Sequence, residues 1–107
     1  ANMMLPEHSD DILPILTDMA SDLGAATLKA HVQSTTPRKD LTAKLGQLNC
    51  PVNIIAARQD VVAPFSTMQT AQQNINDARL LPVEDSGHMM MLEQPASVAA
   101  LLNELLA

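Results

Sequence analysis

Two short apolar runs with a single helix between them constrain this chain more than any other feature. Pro51 restarts the chain as extended, and Val52, Ile54, Ile55, Ala56 and Ala57 read as a short buried strand with Asn53 as its one polar exception. Arg58 to Ala63 reads as a loop. Pro64 opens a helix that places Phe65, Met68, Ala71, Gln72 and Ile75 on one stripe, so it buries one side only. Asn76 and Asp77 turn the chain into a second strand, Ala78 to Val83, where Pro82 lacks a ladder donor and so confines the strand to a sheet edge or its end. After a loop from Glu84 to Gln94, Pro95 starts a last helix with Val98, Leu101, Leu102 and Leu105 at helical spacing. Strand, helix, strand, helix makes a βαβα unit, whose strands are parallel and whose crossover is right-handed. The fold class is therefore α/β. Two parallel strands are too few to stand alone, because parallel sheets need cover on both faces and several neighbours. The first strand is expected to offer an edge to something these residues do not contain.

The part before Cys50 has a different texture. Ser9, followed by Asp10 and Asp11, looks like a helix start with acidic residues at the positive end of the dipole. Ile12, Leu13, Ile15, Leu16, Met19, Ala20 and Leu23 recur at helical spacing, and Gly24 is a stop. Pro14 places the regular start of that helix at or near itself, since proline is tolerated only in the first turn. A second helix is expected from Ala25 to Gln33. Asp40 then caps a short turn carrying Leu41 and Leu45, which Gly46 ends.

Composition excludes several classes of function. A length of 107 residues allows one domain, and 47% hydrophobic residues are enough for a core. Twelve acidic against six basic residues give a net charge of −6, which argues against nucleic acid or an anionic membrane as partner. A single cysteine cannot form an internal disulfide, and no leader pattern opens the chain, so a cytoplasmic location is expected. No apolar stretch approaches the roughly 18 residues of a membrane span. One Phe is the only aromatic residue, so seven Met with many Leu and Ala must fill the interior.

In open parallel sheets ligands sit outside the carboxyl ends of the strands. Asp60 lies three residues past the first strand's end and His88 five past the second's, so both emerge on one rim of neighbouring strands. Such strands lie about 4.8 Å apart, so the two side chains can meet. An aspartate accepting a histidine's Nδ1 proton fixes the tautomer and steadies the imidazolium that forms when Nε2 takes a proton, as acyl transfer requires of its base.

The run Asn49-Cys50-Pro51-Val52-Asn53-Ile54-Ile55-Ala56-Ala57-Arg58-Gln59-Asp60, then Ala63-Pro64, then Asp85-Ser86-Gly87-His88 with Glu93-Gln94-Pro95, resembles the C-terminal part of α/β-hydrolase-fold enzymes. Ala57 stands where many members have glycine. The resemblance implies a capped esterase- or lactonase-like enzyme without a cofactor, with Asp60 as triad acid and His88 as triad base in the order nucleophile, acid, histidine. It implies that residues 1–46 are the end of a helical cap and 47–107 the C-terminal part of the core. Arg38 and Asp40 would border a contact between the two.

The nucleophile is the departure from that pattern. With glycine only at positions 24, 46 and 87, there is no G-x-S-x-G elbow and no Gly-rich oxyanion loop. Cys50 precedes the first strand, roughly 20 Å from the rim at ~3.3 Å per residue. Ser86 shares the His88 loop, whereas nucleophile and base normally converge from separate elements. The chain is therefore expected to be a C-terminal piece of a hydrolase acting on a small-molecule ester, lactone or similar bond, inactive without its N-terminal core segment. Met89 and Met90 could line an acyl pocket, or simply pack; Glu93 and Pro95 read as structural, setting the last helix; His8 and His31 read as surface or cap residues. A metal centre of His88, Asp60 and Glu93 has no supporting ligand spacing. The alternative class of function is a small acidic, non-catalytic protein-interaction module.

Overall fold

The computed structural model describes residues 3–107. A single turn of 3-10 helix, Pro6–His8, leads into α1 (Ser9–Leu23), which Gly24 separates from α2 (Ala25–Thr35). A second 3-10 segment, Thr42–Gln47, precedes β1 (Val52–Ala57), α3 (Phe65–Gln73), β2 (Ala78–Val83), α4 (Met90–Glu93) and α5 (Pro95–Leu106).

Both strands fall where the apolar runs place them. They pair in parallel, with Val52 opposite Ala78 and Ala57 opposite Val83. Pro82 faces Ala56 across the ladder, and in this two-stranded sheet β2 has an open side among the described residues, as its missing N–H requires. Helix α3 packs against both strands and α5 against β2. Of the α3 stripe, Phe65, Met68, Ala71 and Gln72 are its less exposed positions, and Ile75 is buried just past the helix end.

Burial is concentrated at the carboxyl ends of the strands, where Ala56, Ala57 and Val83 are buried, whereas Val52, Ile54 and Ile55 are only half-buried. A sheet with both outer edges open cannot bury β1 along its whole length. The buried part of the sheet therefore lies directly under the loops that carry the candidate site.

Several local expectations need correction or refinement. Helix α1 runs through Pro14 rather than starting there, and Ser9 is its first residue, with His8 as N-cap. Pro14 removes the N–H that would bond the Asp10 carbonyl, but Asp10 is exposed and its carbonyl can bond water. Helix α2 continues to Thr35, where the hydroxyls of Ser34 and Thr35 donate to the His31 carbonyl and satisfy the last turn. The stretch after β2 contains the single-turn helix α4, and Leu102 on α5 is exposed, whereas Val98 is buried and Leu101 and Leu105 are half-buried. Asp40 acts locally: its Oδ1 accepts the Thr42 hydroxyl and N–H, which hold its carboxyl below the usual carboxylate range.

Helices α1 and α2 pack on each other and leave much apolar surface open: of the α1 stripe only Ile12 is buried, and Leu13, Ile15, Met19 and Leu23 are exposed. Among the described residues no helix is long and apolar enough to cross a membrane.

Candidate active site

The parallel ladder does not stop at the strand ends. The Arg58 N–H donates to the Val83 carbonyl at 3.0 Å and the Gln59 N–H to the Ser86 carbonyl at 3.1 Å. The Gln59 side-chain Oε1 accepts the Ser86 N–H at 3.1 Å, so one residue ties the two loops together twice. Asp60 follows directly, and His88 lies two residues past Ser86.

These ties bring the expected pair together. Asp60 Oδ2 lies 2.9 Å from His88 Nδ1, while Asp60 Oδ1 accepts the Val62 N–H at 2.8 Å and the Ala63 N–H at 2.9 Å. The carboxylate is therefore held at both oxygens and has one orientation. The Asp60 side chain is 10% exposed and that of His88 35%. An ionised carboxylate only accepts hydrogen bonds, so the proton of a neutral His88 resides on Nδ1 and the Nε2 lone pair is available for a substrate-side proton.

Burial pushes the Asp60 carboxyl up, but the Ala63 N–H, the His88 ring and the Val62 N–H together outweigh it and hold the group below the usual carboxylate range. A carboxyl depressed in the folded state stabilises the fold above its unfolded pKa, and that contribution is lost as pH falls through the folded value. Urea unfolding at stepped pH is accordingly expected to show stability declining below about pH 4, and the decline should be shallower in Asp60→Asn. An identical acid profile in both proteins would contradict this.

The His88 loop is anchored from below. Ser86 is fully buried and Glu93 is 6% exposed. Both Glu93 oxygens lie 3.0 Å from the Gly87 nitrogen, and Oε1 also accepts the Leu5 N–H at 2.7 Å. The Ser86 hydroxyl sits 3.4 Å from Glu93 Oε2 and 3.2 Å from the Gly87 carbonyl, and donates to one of them. It faces Glu93 from a fully buried position, which is no place for a nucleophile. A Cβ on Gly87 would lie 3.1 Å from the Met4 Cα, so a larger residue there would have to displace that backbone by a few tenths of an ångström. Asp85, at φ 50°, turns the chain into this loop, and its carbonyl accepts the Gln94 amide at 3.0 Å. His8 Nε2 lies 3.2 Å from the same carbonyl, and His31 is exposed.

Met89 and Met90 are half-buried beside His88, and the Met89 N–H donates to the Met3 carbonyl at 3.0 Å. Met3 and Met4 in turn line an open, mainly apolar groove of about 710 Å³ with Leu13, Leu16, Ala20 and Leu28. Met89 and Met90 do not line that groove, but the Met3 bond joins its edge to the His88 loop. Cys50 is exposed, ahead of the amino end of β1 and thus at the far end of the strand from Asp60. Among the described residues no group of three or more His, Cys, Asp or Glu side chains could hold a metal ion.

Sequence reasoning anticipates the contact between Asp60 and His88 but gives Gln59 no role, and it assigns Glu93 to the last helix although its side chain turns back to the His88 loop. The only available signal was a glutamate following Gly87-His88 at short range.

The model of a family described as the Ndr family matches residues 3–107. The chain belongs to the Ndr family. This Ndr-family chain is also 36% identical over 70 residues to a pimeloyl-[acyl-carrier protein] methyl ester esterase of Nitrosomonas europaea, a match covering 65% of the chain and 27% of the relative. Its fold matches a thermophilic esterase from Thermogutta terrifontis with a TM-score of 0.82 at 20% identity, over 98% of this chain and 40% of that one. It matches MGS-M2, an α/β hydrolase from a Medee basin deep-sea metagenome, with a TM-score of 0.78 at 20% identity, over 94% and 39%. The fold is thus that of the C-terminal part of an α/β hydrolase, and the Ndr-family chain spans about a quarter of the curated relative and about two-fifths of these structures.

Proposed function

We propose that this chain supplies the acid and the base of a hydrolase that cleaves an ester, lactone or similar bond of a small molecule, and that the nucleophile comes from outside these residues. The observation that carries the reading is the 2.9 Å contact between His88 Nδ1 and Asp60 Oδ2 at the carboxyl rim of two paired parallel strands. The esterase relative and the hydrolase fold support it.

In this reading His88 Nε2 takes the proton of the attacking hydroxyl as its oxygen bonds to the carbonyl carbon. The imidazolium, steadied by Asp60, then gives that proton to the departing alkoxide as the acyl–oxygen bond breaks. Water repeats the sequence on the acyl-enzyme, returning the hydroxyl and releasing the acid. Residues 1–46 form the end of the cap and 47–107 the C-terminal part of the core. The groove beside Met3 and Met4, with Met89 and Met90 next to His88, would receive the apolar part of the substrate.

Short-chain p-nitrophenyl esters test the reading. The 107 residues alone are expected to give no turnover, and the protein extended N-terminally through a strand bearing G-x-S-x-G is expected to hydrolyse them and to be labelled by a fluorophosphonate at that serine. An extended, folded protein that cleaves neither esters nor lactones would defeat the proposal.

A further inference from the structure

We infer that Glu93 is a positioning residue for His88, holding the base's loop against Asp60 through neutral donors alone; this rests on His88 being the base. Its carboxylate is 6% exposed, and among the described residues no Lys, Arg or His lies within ion-pair distance of it. A buried carboxylate is costly unless its oxygens are bonded, and here the N–H groups of Leu5 and Gly87, with the Ser86 hydroxyl nearby, meet them.

These donors belong to two separate stretches of chain. Leu5 lies just ahead of the helix pair, Ser86 and Gly87 immediately precede the base, and the carboxylate itself projects from the end of α4. Glu93 thereby pins the backbone one residue before His88 to the segment that enters the groove-lining helices, and the Met89 to Met3 bond fastens the other side of the histidine to the same segment. His88 is held from both flanks, and its ring has one position from which Nδ1 meets Asp60. A misplacement of about 1 Å at a reacting group costs on the order of 100-fold in rate, so an anchor one residue from the base acts on kcat without touching substrate. An amide at position 93 could not substitute. Whichever way it turned, its NH₂ would confront the Gly87 N–H, which lies 3.0 Å from both carboxylate oxygens.

Initial rates of ester hydrolysis by the hydrolase carrying this chain, with the downfield proton resonance of the His88 Nδ1–H, decide the matter. Glu93→Gln is expected to lower kcat by about 10- to 100-fold with KM within about twofold, and to broaden or abolish the resonance; Glu93→Asp, which keeps the charge but withdraws it by one methylene, should recover part of both. A folded Glu93→Gln protein with kcat within about twofold of the parent and the resonance intact would overturn the inference. Should Glu93→Gln fail to fold, Glu93→Asp decides: a several-fold loss of kcat supports the role and an unchanged kcat rejects it. His88→Ala run in parallel separates the two levels. Turnover that survives it would overturn the base assignment and Glu93's role with it, whereas a silent Glu93→Gln beside an inactive His88→Ala would refute the role of Glu93 alone.

Discussion

Replacing His88 with alanine in the protein that carries this chain is expected, on the proposed function, to lower kcat for ester turnover by roughly three to six orders of magnitude, with KM little changed. The size follows from what the imidazole would do in each half of the proposed reaction. Without it the attacking hydroxyl has no base to take its proton, and the leaving alkoxide has no acid to protonate it. No nearby group can take over. Ser86 is fully buried and faces Glu93, and His8 Nε2 is directed at the Asp85 carbonyl. The fold should survive the change, because the His88 side chain is 35% exposed and its loop is held by Glu93 and Gln59 rather than by the ring. Loss of rate with retained thermal stability is therefore the expected pattern, read from initial rates and a melting curve on one preparation. A kcat within tenfold of the parent would remove His88 from the mechanism.

How much of this was legible in the sequence depends on how far apart the interacting residues lie. The strands were legible because Pro51, the apolar run and the one-sided stripe from Phe65 to Ile75 are local signals, and a parallel register follows once both strands are placed. The Asp60 and His88 pair was legible for the same reason, since each stands a short count beyond a strand end. Pro14 misled because the cost of an interior proline depends on whether the orphaned carbonyl meets solvent, which spacing cannot report. Leu102 misled because the helical stripe is wider than the surface α5 finds to pack against. Glu93 and Gln59 were misread or missed because their partners are non-local: Leu5 lies 88 positions from Glu93, and Ser86 lies 27 from Gln59. No periodicity encodes such contacts, and both residues belong to types that usually sit in solvent.

The same division explains why the site is ordered on so small a sheet. Two strands cannot bury their own length, and much of the apolar surface of the helix pair lies open, but the carboxyl ends of the strands, with Ala56, Ala57 and Val83, are buried. The loops above that end are fixed mainly by polar contacts. Order at the dyad therefore depends on hydrogen bonds that a neutral or shorter side chain would break, more than on the mass of the core.

Asp60→Asn sharpens this to a single proton. Two backbone donors, the N–H groups of Val62 and Ala63, already claim Oδ1. In the amide that position must be taken by the carbonyl oxygen, because an NH₂ there would confront both N–H groups. The NH₂ is thereby directed at His88 Nδ1, which must offer a lone pair to it, and the neutral ring then carries its proton on Nε2. A histidine in that tautomer points a proton, not a lone pair, at the attacking hydroxyl, and the imidazolium loses its carboxylate as well. The expected loss in kcat is about 10²- to 10⁴-fold at neutral pH, with KM nearly unchanged. Asp60→Ala supplies the contrast: it removes the charge but imposes no tautomer, so it should be no more damaging than Asp60→Asn despite deleting more atoms. Measured side by side, an asparagine variant within tenfold of the parent, or clearly more active than the alanine variant, would show that the carboxylate does not set the proton on His88.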